Sequence, residues 1–329
     1  MTSYRNFGVV GGGAWGTALA QLLAADGAPV RLWAREEDVV AAINREHRNP
    51  VFLPGAALSS SLIATGDLAD MADLDALLIV VPVPYLRAVL ADLPPGDAPL
   101  IFCSKGMEAG SFAFPIDMAQ DLAPLRPHAV LSGPTFAHEV AAGLPTAITV
   151  AADAEIAGTL AQALARPHFR PYVSTDVIGA EIGGAVKNIL AIACGIVDGA
   201  GLGLNARAAL ISRGFAEMTR FGLARGAQAE TLAGLAGLGD LVLTCTSSNS
   251  RNFALGQGLG RGEAAEILMA DRRTVAEGAF SAPVVAAAAR ADGIDMPITE
   301  TVARLVAGEV RVGDAIQALL SRPLRPEGR

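Results

Sequence analysis

Lys105 and Lys187 are the only lysines in a 329-residue chain that carries 25 lysine and arginine side chains. Arginine stays charged at physiological pH and offers a planar fork, whereas the lysine amine is a compact donor that releases its proton more readily when buried or set beside another cation. A chain that uses guanidinium at its other basic positions has a separate reason to keep two amines, and proton transfer is the first reason to test. Compositional drift toward arginine with two survivors is the plain alternative. The surroundings favour chemistry: Ser104-Lys105-Gly106 is glycine-flanked and Ala185-Val186-Lys187-Asn188-Ile189 is apolar.

A second constellation lies near the amino terminus. Gly11-x-Gly13-x-x-Gly16 follows an apolar run at residues 7–10 and precedes a small-residue stretch of helical character at 17–25. In that setting the first glycine permits a tight turn, the second lets backbone approach a pyrophosphate, and the third lets helix pack on strand. Ala14 and Trp15 complete the turn, although Trp15 also suits ordinary packing. The spacing predicts dinucleotide binding. At the end of the next expected strand the chain reads Trp33-Ala34-Arg35-Glu36, where Arg35 points to a 2′-phosphate and hence to NADP(H). Glu36 and Glu37 keep NAD(H) open, because a shift of one residue restores an acid for a ribose hydroxyl.

These groups need elements to hold them. Strands are expected at 7–10, 29–34, 76–81, 100–103, 129–131 and 146–150, with helices between several of them. That alternation predicts an α/β fold with a parallel, doubly wound Rossmann-type sheet over residues 1–178. From 179 to 329 the pattern turns helical, with apolar periodicity at 181–198, 206–224, 228–236, 252–259, 281–292 and 298–307, while 322–329 is expected to fray. Lys105 then falls at the carboxyl end of a strand, where doubly wound folds bind ligands.

Composition narrows the function class. Hydrophobic residues make up 52% of the chain, yet the longest uncharged apolar run, 76–86, contains two prolines and falls short of the ~18 residues of a membrane span. A net charge of −8 argues against a general nucleic-acid surface. Residues 6–25 are uncharged and superficially signal-like, but Gly8, Gly11, Gly12, Gly13 and Gly16 spoil a signal helix. Cys103, Cys194 and Cys245 are odd in number and widely spaced, which suggests a reducing cytoplasm and no structural zinc. His47, His128, His138 and His168 have neither catalytic nor metal-ligand spacing.

The strings GGGAWGTALA, SKGME, LSGPTFAHEVAAGLPTA, VKNILAIACGI, GLGDLVLTC followed by SNSRN, and TVAEGAFSA occur in order along nearly the whole chain. Together they resemble the bacterial NAD(P)-dependent glycerol-3-phosphate dehydrogenase family. The resemblance implies a carboxyl-terminal all-helical domain of the 6-phosphogluconate dehydrogenase-like kind, NADP(H) or NAD(H) as cofactor, and reversible reduction of dihydroxyacetone phosphate for glycerophospholipid synthesis. Homodimerisation through the helical domain is a further expectation by fold analogy.

The same resemblance assigns residues. Lys187 takes the place of the family's acid and base, with Asn188 beside it as an orienting or capping group, and Asp240 matches the active-site aspartate. Hydride delivery to a ketone leaves an alkoxide that needs a proton and positive stabilisation, so a lysine there makes chemical sense. Lys105 corresponds to a residue touching both substrate and nicotinamide, a second cation that readies Lys187 to release its proton. Ser250, Arg251 and Asn252 correspond to the substrate-phosphate site, Arg251 also reaching the cofactor; a plain helix cap at Ser250 is compatible with that role. Gly133 and Thr135 match substrate-lining positions, with threonine where relatives commonly carry serine, and Ala137, Val275 and Glu277 match cofactor positions. Tyr85, in Pro82-Val83-Pro84-Tyr85, departs from the usual pattern and is expected either beside the nicotinamide or in the core. A β-hydroxyacid dehydrogenase or ketopantoate-type reductase, and a catalytically silent dinucleotide sensor, are the competing readings.

Overall fold

The computed structural model describes residues 4–270 and 276–321, so Val275 and the segment 322–329 lie outside the described residues. Eight strands form one sheet: β1 (Phe7–Val10), β2 (Val30–Trp33), β3 (Leu62–Thr65), β4 (Ala76–Ile79), β5 (Leu100–Phe102), β6 (His128–Ser132), β7 (Thr146–Ala151) and β8 (Phe169–Ser174). Their order is β3-β2-β1-β4-β5-β6-β7-β8. The first six reproduce the doubly wound order in which a ligand crevice opens where the winding reverses, outside the carboxyl ends of β1 and β4. β1, β4 and β5 are buried at every residue, as strands covered by helices on both faces must be.

Two features depart from the sequence expectation. β3 and β8 were not anticipated, and both are edge strands. Ile63 of β3 faces solvent, and β8 contains Pro171, which donates no ladder hydrogen bond. A half-solvated edge lacks the continuous apolar run that betrays a central strand. The sheet is also not parallel throughout, since β7 pairs antiparallel with β6 and then parallel with β8. The connection from β6 to β7 holds only the five-residue helix Ala137–Ala141, too short a helix to span the sheet as a parallel crossover helix does.

By internal contacts residues 4–105 and 113–180 form one unit, and residues 106–112 with the described part of 181–329 form a second. The second unit is helical. Its axis is residues 181–199 of the helix Val177–Gly199, a helix 23 residues long and apolar enough by length and composition to cross a membrane, although 89% of its most apolar window is buried inside the protein. It is a core helix. Glycines let its neighbour Arg251–Gly260 approach at backbone distance: a Cβ on Gly195 would stand 2.1 Å from the Phe253 carbonyl oxygen, and one on Gly256 would stand 2.1 Å from that of Ile192. Short helices at Asp240–Cys245 and Ala265–Leu268, and a terminal one at Val312–Leu320, were not evident from periodicity. Stretches of four to nine residues hold too few turns to register a period.

Candidate functional site

In the sheet unit the glycine turn leads from β1 into the helix Ala14–Ala24. Gly11 has φ +128, and a Cβ there would meet the Val80 carbonyl oxygen at 2.6 Å; a Cβ on Gly16 would collide with the Gly11 carbonyl oxygen at 1.9 Å. Both positions are closed to other residues. Gly13 differs, because nothing lies within 4 Å of where its Cβ would be, and it caps the helix without any side-chain hydrogen bond. An uncapped N-terminus with open space over its backbone fits an anionic pyrophosphate. Ala14 and Trp15 stand in the first turn, half-buried against the sheet core.

The other sheet-unit residues occupy strand ends and the loops after them. Lys105 follows β5 and is half-buried; its charge partly offsets the burial that drives the Cys103 thiol pKa upward. After β6 come Gly133 and Thr135, whose hydroxyl donates to the Gly133 carbonyl at 3.2 Å, and Ala137 opens the next helix. Ser132, at the end of β6, is buried with no hydrogen-bond partner for its hydroxyl, a group that reading by motif passes over. Arg35 is 74% exposed at its side chain and pairs with Glu36 at 3.1 Å, so both candidate ribose-recognition charges are engaged with each other. Tyr85 is 59% exposed in the first turn of the helix Val83–Asp92, which removes the core-packing alternative.

The helical unit assembles the rest from distant stretches of chain. Lys187 is 6% exposed and its ammonium donates to Asp240 Oδ1 at 2.6 Å and to Thr244 Oγ1 at 3.2 Å. Asp240 is fully buried. It starts the helix Asp240–Cys245 directly after a π-helical segment, Leu235–Gly239, and a Cβ on Gly183 would strike the Ala236 carbonyl oxygen at 2.2 Å. That close approach brings the lysine helix against the π segment and sets Asp240 within reach one turn further on. Removing two charges from water costs several kcal/mol each, and direct pairing with hydrogen bonds is what makes such burial tolerable. Thr244, which also bonds the Asp240 carbonyl at 2.7 Å, was missed by sequence reading; its spacing of four from Asp240 on one helix is the signal that was there to use. Behind this pair lie Cys194 and Cys245. They are far apart in sequence but neighbours in space, and burial together with the adjacent thiol pushes the Cys245 pKa up.

A second polar group shares this unit. Ser250 caps the helix Arg251–Gly260, accepting from the Phe253 N–H at 3.3 Å, so the cap reading is correct. Arg251 is exposed at that helix start, where free N–H groups and a guanidinium can serve one anion. Asn252 is turned inward, its Oδ1 accepting from the Gly278 N–H at 2.8 Å, and Asn188 donates to Glu277 Oε2 at 3.4 Å. Lys187, Asn188, Asp240, Asn252 and Glu277 are thus linked through neighbouring residues of one helix and its partners.

Comparison with known proteins shows the family. The NAD-dependent glycerol-3-phosphate dehydrogenase N-terminus model matches residues 6–157 and the C-terminus model of the same family matches 176–317. The glycerol-3-phosphate dehydrogenase [NAD(P)+] 1 of Sphingopyxis alaskensis is 90% identical over the full length of both chains, and that of Erythrobacter litoralis is 59% identical over 97% of each. The crystal structure of glycerol-3-phosphate dehydrogenase from Coxiella burnetii superposes with a TM-score of 0.93 at 40% identity, covering 97% of this chain and 99% of that one. A ketopantoate reductase from Ralstonia eutropha shares only the fold, with a TM-score of 0.60 at 18% identity. The chain belongs to the NAD(P)-dependent glycerol-3-phosphate dehydrogenase family.

Proposed function

We propose that the chain reversibly reduces dihydroxyacetone phosphate to sn-glycerol 3-phosphate with NAD(P)H, and that Lys187 is its acid and base. The observation that carries this reading is the buried Lys187 ammonium, aligned by Asp240 at 2.6 Å and Thr244 at 3.2 Å. When bound, NAD(P)H supplies the hydride to the substrate carbonyl carbon. Lys187 then gives its proton to the carbonyl oxygen and regains one from solvent; in the oxidative direction the neutral amine takes the hydroxyl proton. Asp240 keeps the amine on line by a charge-assisted bond, and Lys105 contributes a second positive charge to the reaction.

The remaining assignments follow family position and local chemistry. Ser250, Arg251 and Asn252 hold the substrate phosphate, a group of about −1.5 to −2 charge at neutral pH, and Gly133 and Thr135 line the substrate. Gly11, Gly13, Ala14, Trp15 and Gly16 take the pyrophosphate, Arg35 a 2′-phosphate, and Tyr85, Lys105, Ala137, Arg251, Val275 and Glu277 further parts of the cofactor. Residues 1–178 serve as the NAD(P)-binding domain and 179–329 as the substrate domain. The enzyme works as a soluble cytoplasmic homodimer that feeds glycerophospholipid synthesis.

A single assay tests the reading. Oxidation of NADPH by dihydroxyacetone phosphate should be rapid, and keto acids should neither replace that substrate nor compete with it. Turnover of a keto acid alone would assign the chain to a hydroxyacid chemistry, and binding of NADPH without turnover of either would make it a sensor.

A further inference from the structure

The segment 47–59, between the helix Glu37–Glu46 and β3, has no part in the chemistry described so far, yet it is bound tightly to the glycine turn. Asn49 is 0% exposed. Its Nδ2 donates to the Gly12 carbonyl at 2.9 Å and to Thr17 Oγ1 at 2.9 Å, while its Oδ1 accepts from the Phe52 N–H at 3.0 Å. Each amide hydrogen therefore has its own acceptor. Thr17 Oγ1 in turn donates to the same Gly12 carbonyl at 3.2 Å. The segment is further fastened by Leu53 N–H on the Asn49 carbonyl, Leu58 N–H on the His47 carbonyl, and Ser59 N–H on Gln21 Oε1 at 2.7 Å.

The consequence lies in one peptide plane. In a trans peptide the carbonyl and the following N–H point in opposite directions. Two donors hold the Gly12 carbonyl inward, so the Gly13 N–H must face outward, over the open space where a Cβ on Gly13 would meet nothing within 4 Å. Glycine is the residue freest to flip such a plane, so an unsupported Gly12-Gly13 peptide would sample orientations that turn its donor away. We propose that Asn49 is a positioning residue for the cofactor: it locks the Gly12-Gly13 peptide with its N–H aimed at the pyrophosphate of the bound dinucleotide. Thr17 is its partner in that lock. The proposal rests on the reading that residues 11–16 hold the pyrophosphate.

Because the pyrophosphate is common to NADH and NADPH, losing the lock weakens both equally. Asn49→Ala should raise the dissociation constants of NADH and NADPH, measured by nicotinamide fluorescence, by roughly tenfold each, the effect of one lost buried hydrogen bond to an aligned group. The cofactor KM should rise far more than kcat falls. Thr17→Val, a smaller change on the same carbonyl, should weaken both cofactors in the same direction by a few-fold and covers the case in which Asn49→Ala does not fold. Gly13→Asp is the control for the turn, since it adds a carboxylate in open space at an ordinary φ of −67. If Gly13→Asp binds both cofactors normally, the pyrophosphate reading of the turn fails, and this proposal with it. If Gly13→Asp loses binding while folded Asn49→Ala, or Thr17→Val in its stead, keeps wild-type dissociation constants, the turn reading stands and the positioning role is refuted. A lower thermal midpoint with unchanged dissociation constants also refutes it, because that pattern belongs to a residue that only stabilises the fold.

Discussion

At the glycine turn the polar groups taken out of water are neutral: a carboxamide at Asn49, a hydroxyl at Thr17 and a backbone carbonyl at Gly12. In the helical unit the central pair is charged, Lys187 against Asp240. The two regions respond differently to damage. A neutral network costs little once every donor is matched and does not depend on pH, whereas a buried ion pair leaves an uncompensated charge as soon as one partner goes. The turn presents backbone and tolerates substitution by how well a peptide plane is held. The amine cluster presents side chains and depends on all of them at once.

The largest effect that would break this contrast concerns Lys187. Lys187→Ala should lower kcat by about 10²-fold or more while leaving NADPH affinity nearly intact, because proton donation acts in the transition state. Retention of more than about a tenth of kcat in a stopped-flow assay removes Lys187 from the acid and base role. Lys187→Arg keeps charge but cannot exchange the proton, so it should be almost as damaging, whereas Lys105→Arg should do less harm and Lys105→Met more. Full activity in both arginine variants would reduce the two amines to ordinary cations.

Next in size is the ion pair itself. Asp240→Ala strands a buried ammonium and should cost about 3 to 5 kcal/mol in urea unfolding; a loss under 1 kcal/mol would mean the pair is solvated and the contrast with the turn is false. Arg251→Ala should raise the KM for dihydroxyacetone phosphate by the equivalent of about 1.5 to 3 kcal/mol, the range for a charged hydrogen bond. An unmoved KM would leave Ser250 as a cap and nothing more. Arg35→Asp also tests the turn's end of the molecule, where the Arg35 to Glu36 pair is exposed. It should shift the ratio of kcat/KM values toward NADH, and an unchanged ratio would make Arg35 a surface charge.

The smallest effect sharpens the pH side of the comparison. Glu217 accepts from Ile298 N–H at 2.6 Å and from Thr299 N–H and Oγ1 at 3.1 Å each, yet burial outweighs these donors and raises its pKa to about 7 from 4.5. The native state then holds a proton that the unfolded chain has released, so this contribution is complete below pH 4.5 and is lost as pH rises toward 7. Stability should fall across that window by no more than about 1.4 kcal/mol per pH unit, and Glu217→Gln should flatten the slope. A slope of opposite sign would mean the three donors win and the carboxylate is the native form.

The glycine turn was legible because its spacing is local. Gly11, Gly13 and Gly16 lie within six residues: Gly11 is demanded by its φ of +128, Gly16 by a clash with the Gly11 carbonyl, and Gly13 stands over open space. Central strands were legible for a similar reason, since burial on both faces writes a continuous apolar run at residues such as Ala76–Ile79. The edge strands Leu62–Thr65 and Phe169–Ser174 were not, as their outer sides face water. Asn49 was invisible by spacing, being 32 residues from Thr17, and Thr244 was passed over although it stands on the helix of Asp240.

By itself the sequence determined the doubly wound sheet, the helical second half, the glycine turn between β1 and its helix and, through motif order, the family. Periodicity and short motifs record what neighbouring residues must do for one another, and those demands survive in a one-dimensional string. Only the tertiary structure decided that the Lys187 ammonium rests on Asp240 and Thr244, that Cys194 and Cys245 are neighbours, that Arg35 is held by Glu36, and that β7 runs against β6. Apart from the Arg35 to Glu36 pair, which joins sequence neighbours, these are contacts made by helix packing and strand pairing across long separations. Their geometry depends on which backbones can approach closely, and glycines such as Gly183 and Gly195 reveal that role only once the partner helix is in place.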